Sequence, residues 1–538
     1  MNNSITLKRV SKYSISKNHE LFYFCEEETF YAKNLKNLAN YYLRQCFSLH
    51  SRDISTLSDE QKELIADVNK AITNFNEKSK ALFYEKKPAK IKKAEAKLQE
   101  FIESSNKNSN KNSKKHNEEL EKLQKSVESA KKSEYKPQAY IDENNGLLSC
   151  NFLNYFFCHH YKPKDKKYTN PYRDLDSKTS QQVLKNLFND WKSYFKSIKA
   201  YNKNKSSFTG RPKLPKYKSK DGRTKISFSN QSCKVKSCKI RGNIVTFPKT
   251  DLVLKIGIDT TNLTLKEVRI VPNGSIYTIE LVWDKVIQIS KKLNEKVYIG
   301  IDLGLKNLAT IVNNIGLQPI IINGKPLVAI NQYYNKKKAK LQKLMPFSVV
   351  ARYNKSKGIL ENKKIQLYYS KKIDKLTRKR NNKIEDYMHK TSKKIINYCI
   401  DNNIGNIVIG KNKQWKTNIN LGHKNNQNFT GIPFNRLIDM IQYKAEFFGI
   451  KVLVTEESYT SKSSFLDLDT LPKFSDESST KYTFSGSRIT RGLYKTKNIV
   501  INADVNGAYN ILRKVDFNLF SKEDISKVQY IPKILNIS

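Results

Sequence analysis

The sequence predicts a multidomain α+β protein: a mixed α/β domain in its second half, a small antiparallel β-domain and a helical domain. Three observations predict it. Apolar residues recur at helical spacing in 31–50 and again in 139–205. Residues 224–285 instead alternate with a period of two. From residue 297, paired strand signals are followed by strand, helix and strand, which is the order of a mixed α/β domain.

Taken in order, residues 1–30 read as a short strand (SITLKRV), a loop and apolar LFYFC. In 31–50, Leu35, Leu38, Tyr41, Tyr42 and Cys46 mark one face of an amphipathic helix. From about 58 to 138 the composition shifts to Lys, Glu, Asn and Ala. Two polar helices around a disordered hinge are expected there, and a coiled-coil hairpin is their structured form. Aromatic-rich helices return in 139–205, and FTGRPKLPKYKSKDGRTK then crowds basic residues where Pro and Gly break helices. The β unit at 224–285 has turn signals at 242–243 and 273–274. In the second half, VYIGIDLG and LATIVNN form a hairpin and IIINGKPLVAI a further strand. A basic helical stretch runs over about 331–400, then come strand NIVIG (406–410), a helix at 433–450 and strand KVLVTEE (451–457).

The chain has 538 residues, with 99 Lys and Arg against 50 Asp and Glu, a formal net charge of +49. A compact body so positive repels itself unless a polyanion neutralises it, so nucleic acid is the first partner to consider. No apolar run approaches the ~18–20 residues of a spanning helix, and the N-terminus lacks an apolar signal core. A soluble intracellular protein without a membrane partner is expected. The seven cysteines are odd in number and form no CxxC, so isolated thiols are the plain reading. A metal site from Cys233 and Cys238, or from Cys158 with His159 and His160, is the alternative.

Two acids stand out. Asp302 lies near the end of the apolar strand in YIGIDLGLKNLATIV, where desolvation is costly unless a cation compensates it. Capping a turn is its plain role. A phosphate loop of the actin and chaperone ATPase kind is another, but the later glycine-rich adenosine motifs are missing. Asp504 opens a helix in NADVNGAYNILRK, a position that commonly serves as an N-cap. Paired, two carboxylates about 200 residues apart, one on a first strand and one on a last helix, are the acids expected of an RNase H-like nuclease. Mg²⁺ takes such oxygen ligands and bridges a scissile phosphate.

These two segments resemble the first and third RuvC motifs of the TnpB nucleases of bacterial transposons and their Fanzor relatives. Type V CRISPR effectors are more distant kin. Further similarity lies in AKNLKNLANYYLRQ, FTGRPKLPKYKSK, DYMHKTSKKI, GKNKQWKTNINLGHKNNQNFTGIPFNRLIDMIQYKAE and EESYTSKSSFLD. The resemblance spans 1–57 and 139–515 and leaves out the polar insertion.

It implies an RNase H-like (RuvC) nuclease domain at 295–457, completed by the third-motif helix at 501–515. It further implies a β wedge domain at 1–30 and 206–290, a helical recognition domain at 31–205 carrying the insertion 58–138, and a tail at 516–538. The implied activity is RNA-guided DNA cleavage at two Mg²⁺ ions, with Mn²⁺ as a substitute. The implied partners are a guide RNA and double-stranded DNA bearing a short adjacent motif. The setting would be cytoplasm or nucleoid for a bacterial protein, nucleus or viral factory otherwise. A nuclease-dead RNA-guided binding protein and a transposase proper remain the alternatives.

Two departures bear on the site. The family's second-motif glutamate falls on Gly410, and a subgroup takes its acid from the segment matching YKAE, which implies Glu446 as the third ligand beside Asp302 and Asp504. Asp439, Glu456 and Glu457 compete with it. The family's zinc-ribbon cysteine pairs are also absent. The first pair falls on Ser464 and Asp467, and 447–538 contains no cysteine, so no structural zinc is expected and 458–500 should be a basic loop. Candidate nucleic-acid contacts are Arg211, Lys213, Lys216 and Lys218 before the β unit, and Arg488, Arg491 and Lys495 in that loop.

Overall fold

The computed structural model describes residues 4–49, 52–107, 114–141, 148–163, 165, 169–238, 242–288, 293–354, 359–366, 370–411, 423–472 and 482–537. The hinge expected inside the insertion (108–113) and most of GKNKQWKTNINLG (412–422) lie outside them. The chain forms two compact units, Lys8–Asp284 and Lys285–Ser538 with Met1–Leu7.

In the first unit, strand β1 (Ser4–Ile15) leads into helix α1 (Phe22–Leu49), which takes in the LFYFC segment at its start. Helices α2 (Asp59–Lys107) and α3 (Lys114–Lys132) pack against each other as a hairpin, the structured form of the insertion. Short helices α4 (Cys150–Tyr155) and α5 (Pro171–Asp174) precede the long α6 (Ser177–Lys203), whose first turn is capped by Asp176. The strands are β2 (Ile226–Ser229), β3 (Lys234–Cys238), β4 (Gly242–Thr246), β5 (Val253–Ile256), β6 (Leu263–Asn273) and β7 (Ile276–Gln288). They build a four-stranded sheet, β1-β7-β6-β2, and a three-stranded one, β3-β4-β5. The 273–274 turn joins β6 to β7, with Gly274 at φ 63°, whereas Gly242 and Asn243 open β4. One core joins Leu35, Ala39 and Leu43 of α1 to Leu184, Leu187 and Trp191 of α6 and to Phe228, Ile270 and Trp283 of the sheet. Each such side chain contributes about 1.5–3 kcal/mol by leaving water.

The second unit is built on a six-stranded sheet, β14-β13-β8-β9-β10-β18. Here β8 (Asn294–Asp302) and β9 (Asn307–Asn313) form the expected hairpin, and β10 is Ile320–Asn323. The strand expected to run on through KPLVAI stops there, because Gly324 and Pro326 start helix α7 (Lys325–Lys343). The basic stretch is likewise not one helix: the hairpin β11 (Phe347–Asn354) and β12 (Ile359–Gln366) separates α7 from α8 (Lys371–Asp401). Strand β13 (Ile404–Gly410), α9 (His423–Thr430), α10 (Phe434–Glu446) and β14 (Lys451–Thr455) follow. The segment 458–500 is more than a loop, since β15 (Ser487–Thr490), β16 (Leu493–Lys495) and β17 (Val500–Asn502) pair as a small sheet. Helix α11 (Ala503–Val515), α12 (Lys522–Lys527) and β18 (Lys533–Leu535) complete the unit. The tail thus supplies an edge strand parallel to β10.

Two features of this sheet position everything below. Strands β8, β13 and β14 are parallel, so their carboxyl ends share one edge. The period of two then sorts side chains by face. Ile299, Ile301, Ile407 and Ile409 join Met388, Ile395, Leu437 and Ile441 of α8 and α10 in one core. Val408 on the opposite face joins Val505, Ala508, Ile511 and Leu512 of α11. Helix α11 lies unusually close, because a Cβ at Gly300 would meet the Ala508 carbonyl at 2.6 Å.

Candidate active site

Asp302 ends β8 on the α11 face of the sheet. The helix passes directly over it at Gly507, where a Cβ would stand 2.9 Å from the Asp302 Oδ2. Asp504 sits one turn earlier on α11 and is not the cap. Asn502 caps the helix, accepting from the Asp504 and Val505 amides, which leaves the Asp504 carboxylate to point elsewhere. Its Oδ2 accepts from Asn307 Nδ2 at 2.7 Å, and its Oδ1 lies 3.6 Å from the Arg488 guanidinium.

The third acid at this edge is Glu457. It follows β14, the strand beside β13, and its Oε2 would be 2.9 Å from a Cβ at Gly410. The carboxylate therefore fills the space that a side chain rooted at Gly410 would occupy. Its neighbour Glu456 is engaged elsewhere, in a 2.9 Å ion pair with Lys514. Burial raises the Glu456 carboxyl, but hydrogen bonds from Ser458 and Lys514 outweigh it and hold the group below its ordinary value.

Electrostatics mark the cluster. Burial, then the charges of Asp504 and Glu457, push the Asp302 carboxyl up to about 8, with Arg488 pulling the other way. Burial and Glu456 push Glu457 up to about 7. For Asp302 and Glu457, burial and neighbouring carboxylates both favour the protonated form.

Glu446 is not brought here. It is the last residue of α10, which packs on the α8 face of the sheet, and residues 447–450 lead directly from it to the start of β14. A helix that joins two parallel strands runs back against them, so its final residue lies at their amino ends, away from Asp302 and on the other face. Glu446 is also exposed, as is Asp439 midway along the helix. Lys444 ties this end of α10 to α8, donating to the His389 carbonyl at 2.8 Å and to Ser392 Oγ at 2.6 Å.

Of the other candidates, Arg488 lies on β15 at the cluster, Arg491 in the turn after it and Lys495 at the end of β16, all three exposed. Arg211, Lys213, Lys216 and Lys218 are also exposed, on a segment strapped to α1 by its backbone. Pro215 O accepts from Asn40 and Arg44, Lys218 O from Asn37 and Lys220 O from Lys33, so four positions on one face of α1 hold the main chain and leave the basic side chains to solvent. Asn307 and Asn502 escaped the sequence reading, although Asn two residues before Asp at a helix start is itself a capping signal.

Among the described residues, no group of three or more His, Cys, Asp or Glu is placed to hold a metal ion. The all-oxygen chemistry of Asp302, Asp504 and Glu457 is nevertheless of the kind Mg²⁺ prefers, since that ion binds through one or two carboxylates and keeps waters for a phosphate to displace.

Two family models match the chain: one described as a probable transposase (OrfB of IS605) over residues 281–416, the other as a Cas12f1-like TNB domain over 434–511. The first covers β8 with Asp302 and β13, and the second runs from α10 to α11 with Asp504. Both matches are similarities over part of the chain, and they fall on the segments that resemble the TnpB nucleases. No curated protein matches this chain. Solved structures that match include a Cas12f1–sgRNA–target DNA complex, 17% identical, covering 62% of this chain and 78% of that one with a TM-score of 0.28. A CRISPR–Cas12f ternary complex also matches, 14% identical, covering 94% and 98% with a TM-score of 0.27. At such TM-scores neither sets the fold of this chain. Among the described residues, no helix is long and apolar enough to cross a membrane.

Proposed function

We propose that this protein is an RNA-guided DNA endonuclease with a RuvC-type site formed by Asp302, Asp504 and Glu457. The observation that carries the reading is the gathering of three carboxylates at the carboxyl edge of one parallel strand set, two of them raised to about 8 and 7. The partial matches to the transposase and Cas12f1-like models and the net charge of +49 support nucleic acid as the substrate.

The three acids would hold Mg²⁺, or Mn²⁺ in its place, and a pair of such ions would supply an activated water and positive charge for the departing 3′ oxygen. The chain's own residues do the rest. Asn307 fixes one oxygen of Asp504 and leaves the other turned to Arg488, whose guanidinium offers positive charge to a scissile phosphate. Gly507 lets α11 approach until Asp302 and Asp504 face a common space. Arg211, Lys213, Lys216 and Lys218, on a main chain already fixed to α1, would grip the phosphate backbone of the guide RNA or its DNA target with little ordering cost. Reading of a short DNA motif beside the target belongs to the same proposal.

The test is a Mg²⁺-dependent cleavage assay on duplex DNA complementary to the RNA that co-purifies with the protein. Linear cut products that vanish in Asp302→Ala and Asp504→Ala, with RNA still bound, support the reading. Target binding without cutting by the natural chain would make it a nuclease-dead binding protein, and joined DNA ends would make it a transposase.

A further inference from the structure

Helix α11 presents Asn506, Asn510 and Arg513 along one face, and all three are buried. They grip the loop that follows β14. Asn506 accepts from the Phe465 amide and donates to Ser463 O, Asn510 donates to Thr460 O and Ser463 O, and Arg513 donates to the carbonyls of Leu468 and Asp469. The loop in turn carries two aspartates whose side chains reach the β15–β16 hairpin. Asp469 accepts from the Ser464 amide at 2.8 Å, from the Ser485 amide at 3.0 Å and from the Ser485 hydroxyl. Asp467 accepts from Ser464 Oγ at 2.5 Å and from the Lys497 amide at 3.2 Å.

Ser485 stands two residues before β15 and Lys497 two residues after β16, so the carboxylates pin both feet of the hairpin. Gly486 makes room for this, because a Cβ there would strike the Tyr494 ring at 2.6 Å. The hairpin carries Arg488, which returns to α11 at Asp504. Helix, loop and hairpin thus close a ring in which the active-site contact is one link.

We infer that Asp469 is a positioning residue that works through Arg488: by anchoring the first foot of the hairpin to the loop held by Arg513, it sets the guanidinium against Asp504. This rests on the proposed role of Arg488 at the carboxylate cluster. A hydrogen-bonded carboxylate suits the task because charge-assisted bonds to backbone amides are short and directional.

A double-mutant cycle on the full chain with its co-purified RNA tests it, using Asp469→Asn, Arg488→Ala and the pair. Single-turnover cleavage of the complementary duplex is expected to fall about tenfold for Asp469→Asn and further for Arg488→Ala, and the pair should match Arg488→Ala alone. RNA binding should be unchanged, and amide exchange should speed up at 485–495 in Asp469→Asn. Multiplicative losses, or full activity in Asp469→Asn, would overturn the inference while leaving the nuclease reading intact. Cleavage that survives Asp302→Ala would overturn that reading, yet the exchange at 485–495 would still report the anchor.

Discussion

The two ends of the parallel strands β8, β13 and β14 both carry acids but treat them differently. At the amino ends, Glu295 pairs with Lys451 at 3.1 Å on an open surface, and Glu446 stands exposed nearby in the chain. At the carboxyl ends, Asp302, Asp504 and Glu457 crowd together, with Arg488 and Asn307 as the polar partners described. Acids set in solvent beside a lysine give a stable surface; acids buried beside one another under a helix have their carboxyls pushed up, as at Asp302 and Glu457. The direction of the strands, not the count of carboxylates, makes the difference, as in other α/β sheets whose sites open at the carboxyl edge.

The contrast is broken most sharply by removing acids from each end. Asp302→Ala and Glu457→Ala should each lower cleavage at least about a thousandfold, several kcal/mol of charge stabilisation, while Glu446→Ala stays within about twofold of the natural chain. Equal losses at Glu446 and Glu457 in the cleavage assay would erase the distinction. A second experiment moves a carboxylate within the active end. Gly410→Glu alone should impair cleavage, because its Cβ meets Ile511 Cδ1 at 2.5 Å as well as Glu457, and such overpacking costs about 1–3 kcal/mol. Added to Glu457→Ala, the same substitution should restore part of the lost rate.

The pH dependence of stability sharpens the comparison further. Asp302 rises from an ordinary 3.8 to about 8 and Glu457 from 4.5 to about 7 on folding. Between those values the folded chain binds more protons than the unfolded one, so stability is lost as pH rises through roughly 4 to 8. In chelator, Asp302→Asn should therefore melt higher than the natural chain at pH 8 and close to it at pH 5. The gap should be a few degrees, at about 2–4 °C per kcal/mol. Added Mg²⁺ should raise the natural chain's melting point more at pH 8 than at pH 6. The smallest effect belongs to the other end: Lys451→Ala should shift stability by under about 1 kcal/mol in denaturant unfolding, since exposed ion pairs contribute little.

Much of this arrangement was legible in the residues. Apolar runs ending in Asp302 and Gly410, and the apolar stripe behind Asp504, announce two buried strands and a helix packed on a core. The proposed third acid is less legible, for reasons of handedness and direction. Glu446, the acid implied by resemblance to YKAE, ends a helix between parallel strands, and that topology sends it to the amino edge, a direction the motif itself does not encode. Glu457 was one of several acids after β14, and only the pleat decides that it turns to the α11 face. The hairpin at 347–366 was masked by lysines within a basic stretch, and β15 to β17 are too short to show a clear period. Their order comes from side chains meeting across loops, as at Asp469 and Ser485, which no local pattern encodes.

Asn502 holds the first turn of α11 so that Asp504 need not, and this division of labour has a practical side. A chain stripped of its acid at 504 keeps its helix start, its buried asparagines and its grip on the neighbouring loop. On the proposed function, a single base change in the coding sequence would therefore blunt the blade while the handle stays whole, one step from a protein that only marks its target.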